Sequence, residues 1–309
     1  MSLVSIGKFY ETISAPLGST HTLYLAVFQR KQPGQKGIVS FMYSDFHVHT
    51  SFSSDSETPP EKQIEKAISL GMKTLCLTDH QDFDFPPGEY DFLLDTDQYM
   101  QKVLPLREKY QGKIQLCIGV ELGLQPHLGE KLPAYIAQYP FDFVIGSTHV
   151  SRRLDPYEKE FFEGISEKDA YRIYFEEELE NLRQYDCYDV AGHIDYVIRY
   201  GPAKAACYSY EAYGDLLDEI LRTLIDKGKG LECNTSGIRA GLGFPNPHPD
   251  VLLRYRELGG EILTLGSDAH AEEQVGGNFD MLKGLLASCG FRYYAVFEGR
   301  KPRFLPLSD

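Results

Sequence analysis

Asp45-Phe46-His47-Val48-His49 closes the strand-like run at residues 43–47 and sets two imidazoles two residues apart. Alternate side chains of an extended chain share a face, so both rings can reach one ion. Such a pair alone is as readily a satisfied core or solvent-facing element as a ligand pair. What gives it meaning is the sequence that follows. Strand-length apolar runs recur at 74–77, 114–120, 143–146, 189–191, 230–233 and 261–265. Segments of helical period lie between them at 60–70, 97–110, 167–184, 210–227 and 249–258, several opened by proline or an acidic cap. This alternation predicts βα units and a parallel sheet, and seven or eight such units suit a barrel better than an open sheet. A weaker eighth strand is expected at 293–297.

The polar residues gather at the carboxyl ends of these runs. After His47 and His49 come Thr78-Asp79-His80, Gly119-Val120-Glu121, Gly146-Ser147-Thr148-His149, Ala191-Gly192-His193, Leu231-Glu232-Cys233-Asn234 and Gly266-Ser267-Asp268-Ala269-His270. In a parallel barrel these ends converge on the face where active sites form. Burying so many ionisable groups together is prohibitive unless metal charge compensates them. Among them, His47, His49, His80, Glu121, His149, His193, Asp268 and His270 are the candidate ligands. Nitrogen and carboxylate donors without thiolates suit zinc, manganese or iron. The set exceeds what one tetrahedral ion can use, and Glu121 can bridge through both oxygens, so two or three divalent ions are expected. Neighbouring ions can acidify a shared water while polarising a phosphoryl oxygen, which is the chemistry of phosphoester hydrolysis.

Composition narrows the reading. The 309 residues are 42% hydrophobic and carry a formal net charge of −14, with no apolar run of membrane-spanning length. That charge argues against a nucleic-acid or membrane-surface partner. The six cysteines are scattered without a C-x-x-C pair and read as buried thiols in a reducing cytoplasm. Residues 1–40 hold one strand-like run, 22–28, and a polar turn-rich linker, 30–37; they read as an edge strand, hairpin or arm rather than a domain. The catalytic domain is expected over 41–309.

The segments His47-Val48-His49-Thr50-Ser51-Phe52-Ser53-Ser54-Asp55, Thr78-Asp79-His80, Gly119-Val120-Glu121, His149, Gly192-His193-Ile194-Asp195 and Ser267-Asp268-Ala269-His270 resemble the motifs of the PHP (polymerase and histidinol phosphatase) superfamily. The likeness runs from about Met42 to Phe291. It is strongest to the PHP-type histidinol-phosphate phosphatases, through the stretch from Gly192 to Gly201 and through Glu232-Cys233-Asn234-Thr235-Ser236-Gly237-Ile238-Arg239. The resemblance implies a distorted (β/α)7 TIM-like barrel with a trinuclear metal site. It assigns His47, His49, Glu121 and Asp268 to one ion, bridging Glu121 with His149 and His193 to a second, and Asp55, His80 and His270 to a third. Many relatives have histidine where this chain has Asp55. The implied activity is hydrolysis of L-histidinol phosphate in histidine biosynthesis. The alternatives are a PHP phosphoesterase for a nucleotide, sugar phosphate or phosphoprotein, an amidohydrolase, and a non-catalytic PHP module.

Glu121, Asp268 and His270 are the candidate catalytic residues, with Asp268 or a histidine relay as a route for the leaving-group proton. Arg199 and Arg239 are the first candidates for gripping a small phosphorylated substrate, and Arg152 and Arg153 the second, because guanidinium forks suit phosphate. Asp79, Asp195 and Asp45 are expected to steady the ligands from behind, the first two by orienting imidazoles.

Overall fold

The parallel strands form a ring that the sequence's first and last strand-end motifs shut. The computed structural model describes residues 44–307. The expectations for residues 1–40 lie outside the described residues. The strands are β1 (Ser44–Asp45), β2 (Thr74–Leu77), β3 (His80–Gln81), β4 (Gln115–Gly123), β5 (Phe143–Ser147), β6 (Val190–Ala191), β7 (Gly230–Asn234) and β8 (Leu263–Gly266). They pair in the order β1-β2-β4-β5-β6-β7-β8, all parallel, with β3 continuing the line of β2 beside β4. Phe46 N–H donates to Leu265 O at 2.8 Å and Asp268 N–H to His47 O at 2.8 Å, which joins β8 back to the chain leaving β1. The result is a nearly closed barrel of seven parallel strands.

The connecting helices are α1 (Pro60–Ser69), α2 (Thr96–Lys109), α3 (Lys131–Ile136), α4 (Glu167–Gln184), α5 (Tyr210–Asp226), α6 (Ser236–Arg239), α7 (Pro249–Glu257) and α8 (Phe279–Ser288). Local chemistry starts them. Asp95 accepts from Gln98 N at 3.0 Å and Ser166 from Asp169 N at 3.1 Å, while Pro60 and Pro249 open α1 and α7, where a missing N–H costs nothing. Helix α4 turns Ala170, Tyr171, Tyr174, Phe175, Leu179 and Leu182 inward, the stripe expected of a helix lying on a sheet. No helix among the described residues is long and apolar enough to cross a membrane.

The strand expected at 293–297 forms but does not enter the barrel. Strand β9 (Tyr293–Glu298) pairs antiparallel with β10 (Lys301–Pro306) around Gly299 and Arg300, whose φ angles of 53° and 64° are those of a tight two-residue hairpin. The Phe46–Leu265 bond has already closed the ring, so the hairpin lies across the amino ends of the strands. There Phe297 meets Phe143 with ring centroids 5.0 Å apart, and Cys117 Sγ lies 3.3 Å from Phe297 O. The six cysteines are all free. Four are buried as expected, but Cys187, in the bend before β6, is half-buried, and Cys207, at the end of a 3-10 turn with no buried residue, is exposed.

Candidate metal centre

Each strand end delivers its side chain through a turn with its own fastening. Asp79 accepts from Thr50 N (2.7 Å), Thr50 Oγ1 (2.9 Å), Ser53 N (3.1 Å) and Ser53 Oγ (2.8 Å), folding the chain after His49 back over the barrel mouth. That fold brings Asp55 to within 3.0 Å of His270 Nε2. Asp45 accepts from Ser267 N, Ser267 Oγ and Gly276 N at 2.9, 2.5 and 2.9 Å, fixing the turn that carries Asp268. Asp268 itself has φ 54°, a left-handed conformation that costs energy in a non-glycine residue and marks an over-determined site.

The candidate ligands converge in three groups around Glu121. Its Oε2 lies 3.1 Å from His47 Nε2 and 3.4 Å from His49 Nε2, and Asp268 Oδ1 lies 3.7 and 3.6 Å from the same two nitrogens. Its Oε1 lies 3.1 Å from His149 Nε2 and 2.9 Å from His193 Nε2. Asp55 Oδ2 is 3.0 Å from His270 Nε2 and 3.7 Å from His80 Nε2. All nine residues named from the sequence therefore meet at one mouth, and each oxygen of Glu121 faces a different group.

The electrostatics fit cations. Glu121 is wholly buried, yet its Oε2 accepts no hydrogen bond, and Asp55 Oδ1 and His80 Nδ1 are also buried without one. Burial opposes ionisation of Glu121, but His47, His149 and His80 hold it well below the usual carboxylate range. Burial likewise opposes charge on His47, and Glu121, Glu232 and Asp268 nevertheless raise it well above an ordinary imidazole. His49 is driven well below by burial and by neighbouring His270 and His80. Without ions the ionised acids rely on the positive charge of some protonated histidines while other histidines stay neutral. Divalent cations would satisfy both, and their binding would release those protons. His47, His49 and Glu121, as well as His80, Glu121 and His149, bring three donor atoms within 4.8 Å of one another, close enough to share an ion.

The groups that aim the imidazoles differ from those expected. Glu232 Oε1 is 2.6 Å from His47 Nδ1, Asp82 Oδ1 is 2.8 Å from His149 Nδ1, and Ser53 Oγ is 3.1 Å from His49 Nδ1. A carboxylate on the far ring nitrogen fixes the tautomer and strengthens the ligand. Asp79 acts on His49 only through Ser53. Asp195 grips Asn246 Nδ2 (2.6 Å) and His248 N (2.8 Å) instead of a ring, because its strand end faces the 246–248 turn. Sequence reading passed over Asp82, whose signal was its place two residues after His80, and left Glu232 without a role although it stands at a strand end. Both approaches need glycine opposite: a Cβ on Gly123 would collide with Asp82 Oδ1, and one on Gly266 with Glu232 Oε1.

A cavity of about 170 Å³ opens over the cluster, lined by Asp55, His80, Glu121, His149, His193, Asp268 and His270 together with Arg199 and Arg239. Buried Arg199 is held by Asn246 Oδ1 (2.8 Å) and Asp268 Oδ2 (3.3 Å), which leaves Nη2 without a partner. Arg239 donates to Ser267 O (3.1 Å) and Asp268 O (2.7 Å). Arg152 and Arg153 do not line the cavity. Both have positive φ in the turn joining Ser151 to Leu154, and they are exposed, Arg152 towards Glu176 and Arg153 towards His127. A two-residue turn throws its central side chains outward, away from the strand end.

A PHP domain model matches residues 45–236, and the chain belongs to that family. Its relatives narrow the comparison. Histidinol-phosphatase of Lactococcus lactis is 34% identical over 263 residues, covering 83% of this chain and 95% of that protein. A probable histidinol-phosphatase of Clostridium acetobutylicum is 33% identical over 267 residues, covering 85% and 100%. The crystal structure of histidinol phosphate phosphatase from Lactococcus lactis, complexed with zinc, L-histidinol and phosphate, superposes with TM-score 0.78 at 33% identity, covering 84% of this chain and 98% of that one.

Proposed function

We propose that the chain is a metal-dependent phosphomonoester hydrolase acting on L-histidinol phosphate, releasing L-histidinol and phosphate. The observation that carries the reading is Glu121, buried, ionised and presenting each oxygen to a separate group of imidazoles beneath an arginine with a free N–H. His47, His49, Glu121 and Asp268 would hold one divalent ion, Glu121, His149 and His193 a second, and Asp55, His80 and His270 a third, with zinc, manganese or iron suited to the donors. Ions bound there supply Lewis acidity, which lowers the pKa of water and polarises the phosphoryl group.

The protein's own groups do the rest. Arg199 directs Nη2 at a phosphoryl oxygen, and Arg239 adds positive potential from beside Asp268. Asp268 keeps Oδ2 engaged by Ser236 Oγ (2.9 Å) and Arg199, leaving Oδ1 towards His47 and His49. His270, whose Nδ1 lies 3.1 Å from Asp268 O, stands at the open side, where water can reach the departing alkoxide and supply its proton. The cavity falls below the roughly 300–1,000 Å³ of pockets for drug-sized ligands, favouring a small monoester over a nucleotide.

The test is phosphate release from L-histidinol phosphate and from p-nitrophenyl phosphate by protein of measured metal content. Release from the first at much higher kcat/KM is expected. Preference for the aryl ester would leave a PHP phosphatase with another substrate, and no release from either by metal-loaded protein would leave a non-catalytic module.

A further inference from the structure

Two chemistries line the cavity. One is the metal cluster with Asp82, Arg199 and Arg239; the other is the rings of Phe85, Phe92, Tyr196 and Tyr200. The rings begin against the cluster, where Tyr196 packs on His149, His193 and Arg199 and Phe92 on His80. The lining carries one carboxylate outside the cluster, Asp155. Its position is fixed by the chain leaving His149. Ser151 and Leu154 exchange backbone hydrogen bonds at 2.9 and 3.0 Å across the Arg152-Arg153 turn, and Ser151 Oγ and Arg152 N–H both donate to Glu177, at 3.0 and 2.6 Å, which ties the turn to α4. Asp155 follows at once. Its Oδ1 accepts from Tyr157 N–H at 2.8 Å, and Pro156 stiffens the step between them. Tyr157 in turn sets its ring edge-on to Tyr200, at 5.4 Å between centroids.

No cationic group of the described residues pairs with this carboxylate, whereas Asp268, also on the cavity wall, has Arg199. Burial pushes Asp155 up to about 6, against the hydrogen bond from Tyr157 and the attraction of His149. A half-buried acid in an aromatic-walled pocket is what a positively charged ligand group requires, since ring faces and carboxylate both attract it.

We infer that Asp155, with the rings of Phe85, Phe92, Tyr196 and Tyr200, forms the specificity subsite for a cationic nitrogen on the alcohol half of the phosphomonoester. This rests on the phosphatase reading above and adds to it the feature that selects the alcohol. Phosphate goes to the metal cluster and its arginines and the ammonium of the amino alcohol to Asp155, so the cavity selects a substrate whose two halves carry opposite charges.

The test compares wild-type enzyme with Asp155→Asn, which keeps an acceptor for Tyr157, on L-histidinol phosphate, n-butyl phosphate and p-nitrophenyl phosphate. KM for L-histidinol phosphate should rise roughly 10- to 100-fold, with little change in its kcat, in bound metal, or in kcat/KM for the two esters whose alcohols carry no cationic group. Equal losses on all three esters would overturn the inference in favour of a structural role. Losses on both alkyl esters but not the aryl ester would overturn it in favour of proton donation, and no loss anywhere would place Asp155 outside the site. If wild-type protein hydrolyses none of the esters, the phosphatase reading fails by itself. The inference is then read from calorimetric binding of L-histidinol in the presence of phosphate, where equal affinity of the two proteins overturns it.

Discussion

The two ends of the barrel solve the problem of buried acids differently. At the amino ends of the strands, Asp142 pairs with Arg107 and accepts from Ile118 N at 2.8 Å, and Asp189 pairs with Arg300 and accepts from Val144 N at 2.8 Å. Protein cations and backbone N–H groups complete those acids. At the carboxyl ends, Glu121 has Ser147 Oγ at 2.7 Å and otherwise only histidines, with Oε2 accepting no hydrogen bond. The base is finished by the chain itself, whereas the mouth is built to be finished by something that binds. A barrel can thus be stiff at one end while the other stores unsatisfied charge for chemistry.

The largest effect should come from removing the hub of the mouth. Glu121→Gln is expected to lower kcat/KM by roughly 10³-fold and to reduce bound metal, read by phosphate release and metal analysis. Chelation should abolish wild-type activity and lower its Tm, because ligands that bind only the folded state stabilise it. A Glu121→Gln protein that keeps full metal and activity would remove Glu121 from the centre of the site.

At the base the expected change is in stability, not in rate. Arg300→Ala leaves Asp189 buried without its cation. The Arg300 side chain is 27% exposed, so the loss should be about 2–3 kcal/mol, below the 3–5 of a wholly buried pair. Urea unfolding measures it, and kcat per bound metal should not change. Chelating the variant should cost the same further stability as chelating the wild type, within about 0.5 kcal/mol; a larger discrepancy would mean that the two ends communicate.

Glu178 on α4 sharpens the contrast, being a buried acid that neither device serves. Neither of its side-chain oxygens makes a well-formed hydrogen bond, and burial pushes it up to about 8, against the weaker pull of nearby Thr148 and the charge of His149. The folded state thus holds a proton that the unfolded chain releases above pH 4.5. Stability therefore falls as pH rises from about 4.5 and levels off above about 8. Glu178→Gln should flatten that slope, so that its Tm advantage over wild type grows between pH 5 and pH 9, by up to ~1.4 kcal/mol per pKa unit. Parallel Tm profiles would show that Glu178 ionises freely.

The βα rhythm and eight of the nine candidate ligands were legible because each lies in a short local pattern, a strand-length apolar run followed by His, Asp or Glu; Asp55, in the turn after His49, was named only through the family resemblance. What escaped depended on contacts across the barrel. Nothing near Asp82 announces that it meets His149, and Glu232 reaches His47 only because Gly266 lets it pass. Arg152 and Arg153 were misplaced for a related reason. Adjacency to His149 is a sequence fact, but the reversal of the Ser151–Leu154 turn is a backbone one. The strand at 293–297 was recognisable as a strand, while its partner was not, since a pairing rule needs to know that the ring is already full.

The seam where Asp268 N–H meets His47 O has a consequence for how the site comes into being. His47 and Asp268 directly follow the first and last strands of the ring, so the pocket they share is among the contacts of greatest sequence separation in the barrel. Loop closure of that length is entropically costly and tends to come late in folding. Until the ring shuts, the remaining histidines offer only loose, incomplete chelation. An ion captured at the seam would then act as a clasp on the barrel, and losing it would loosen its first and last strands from one another.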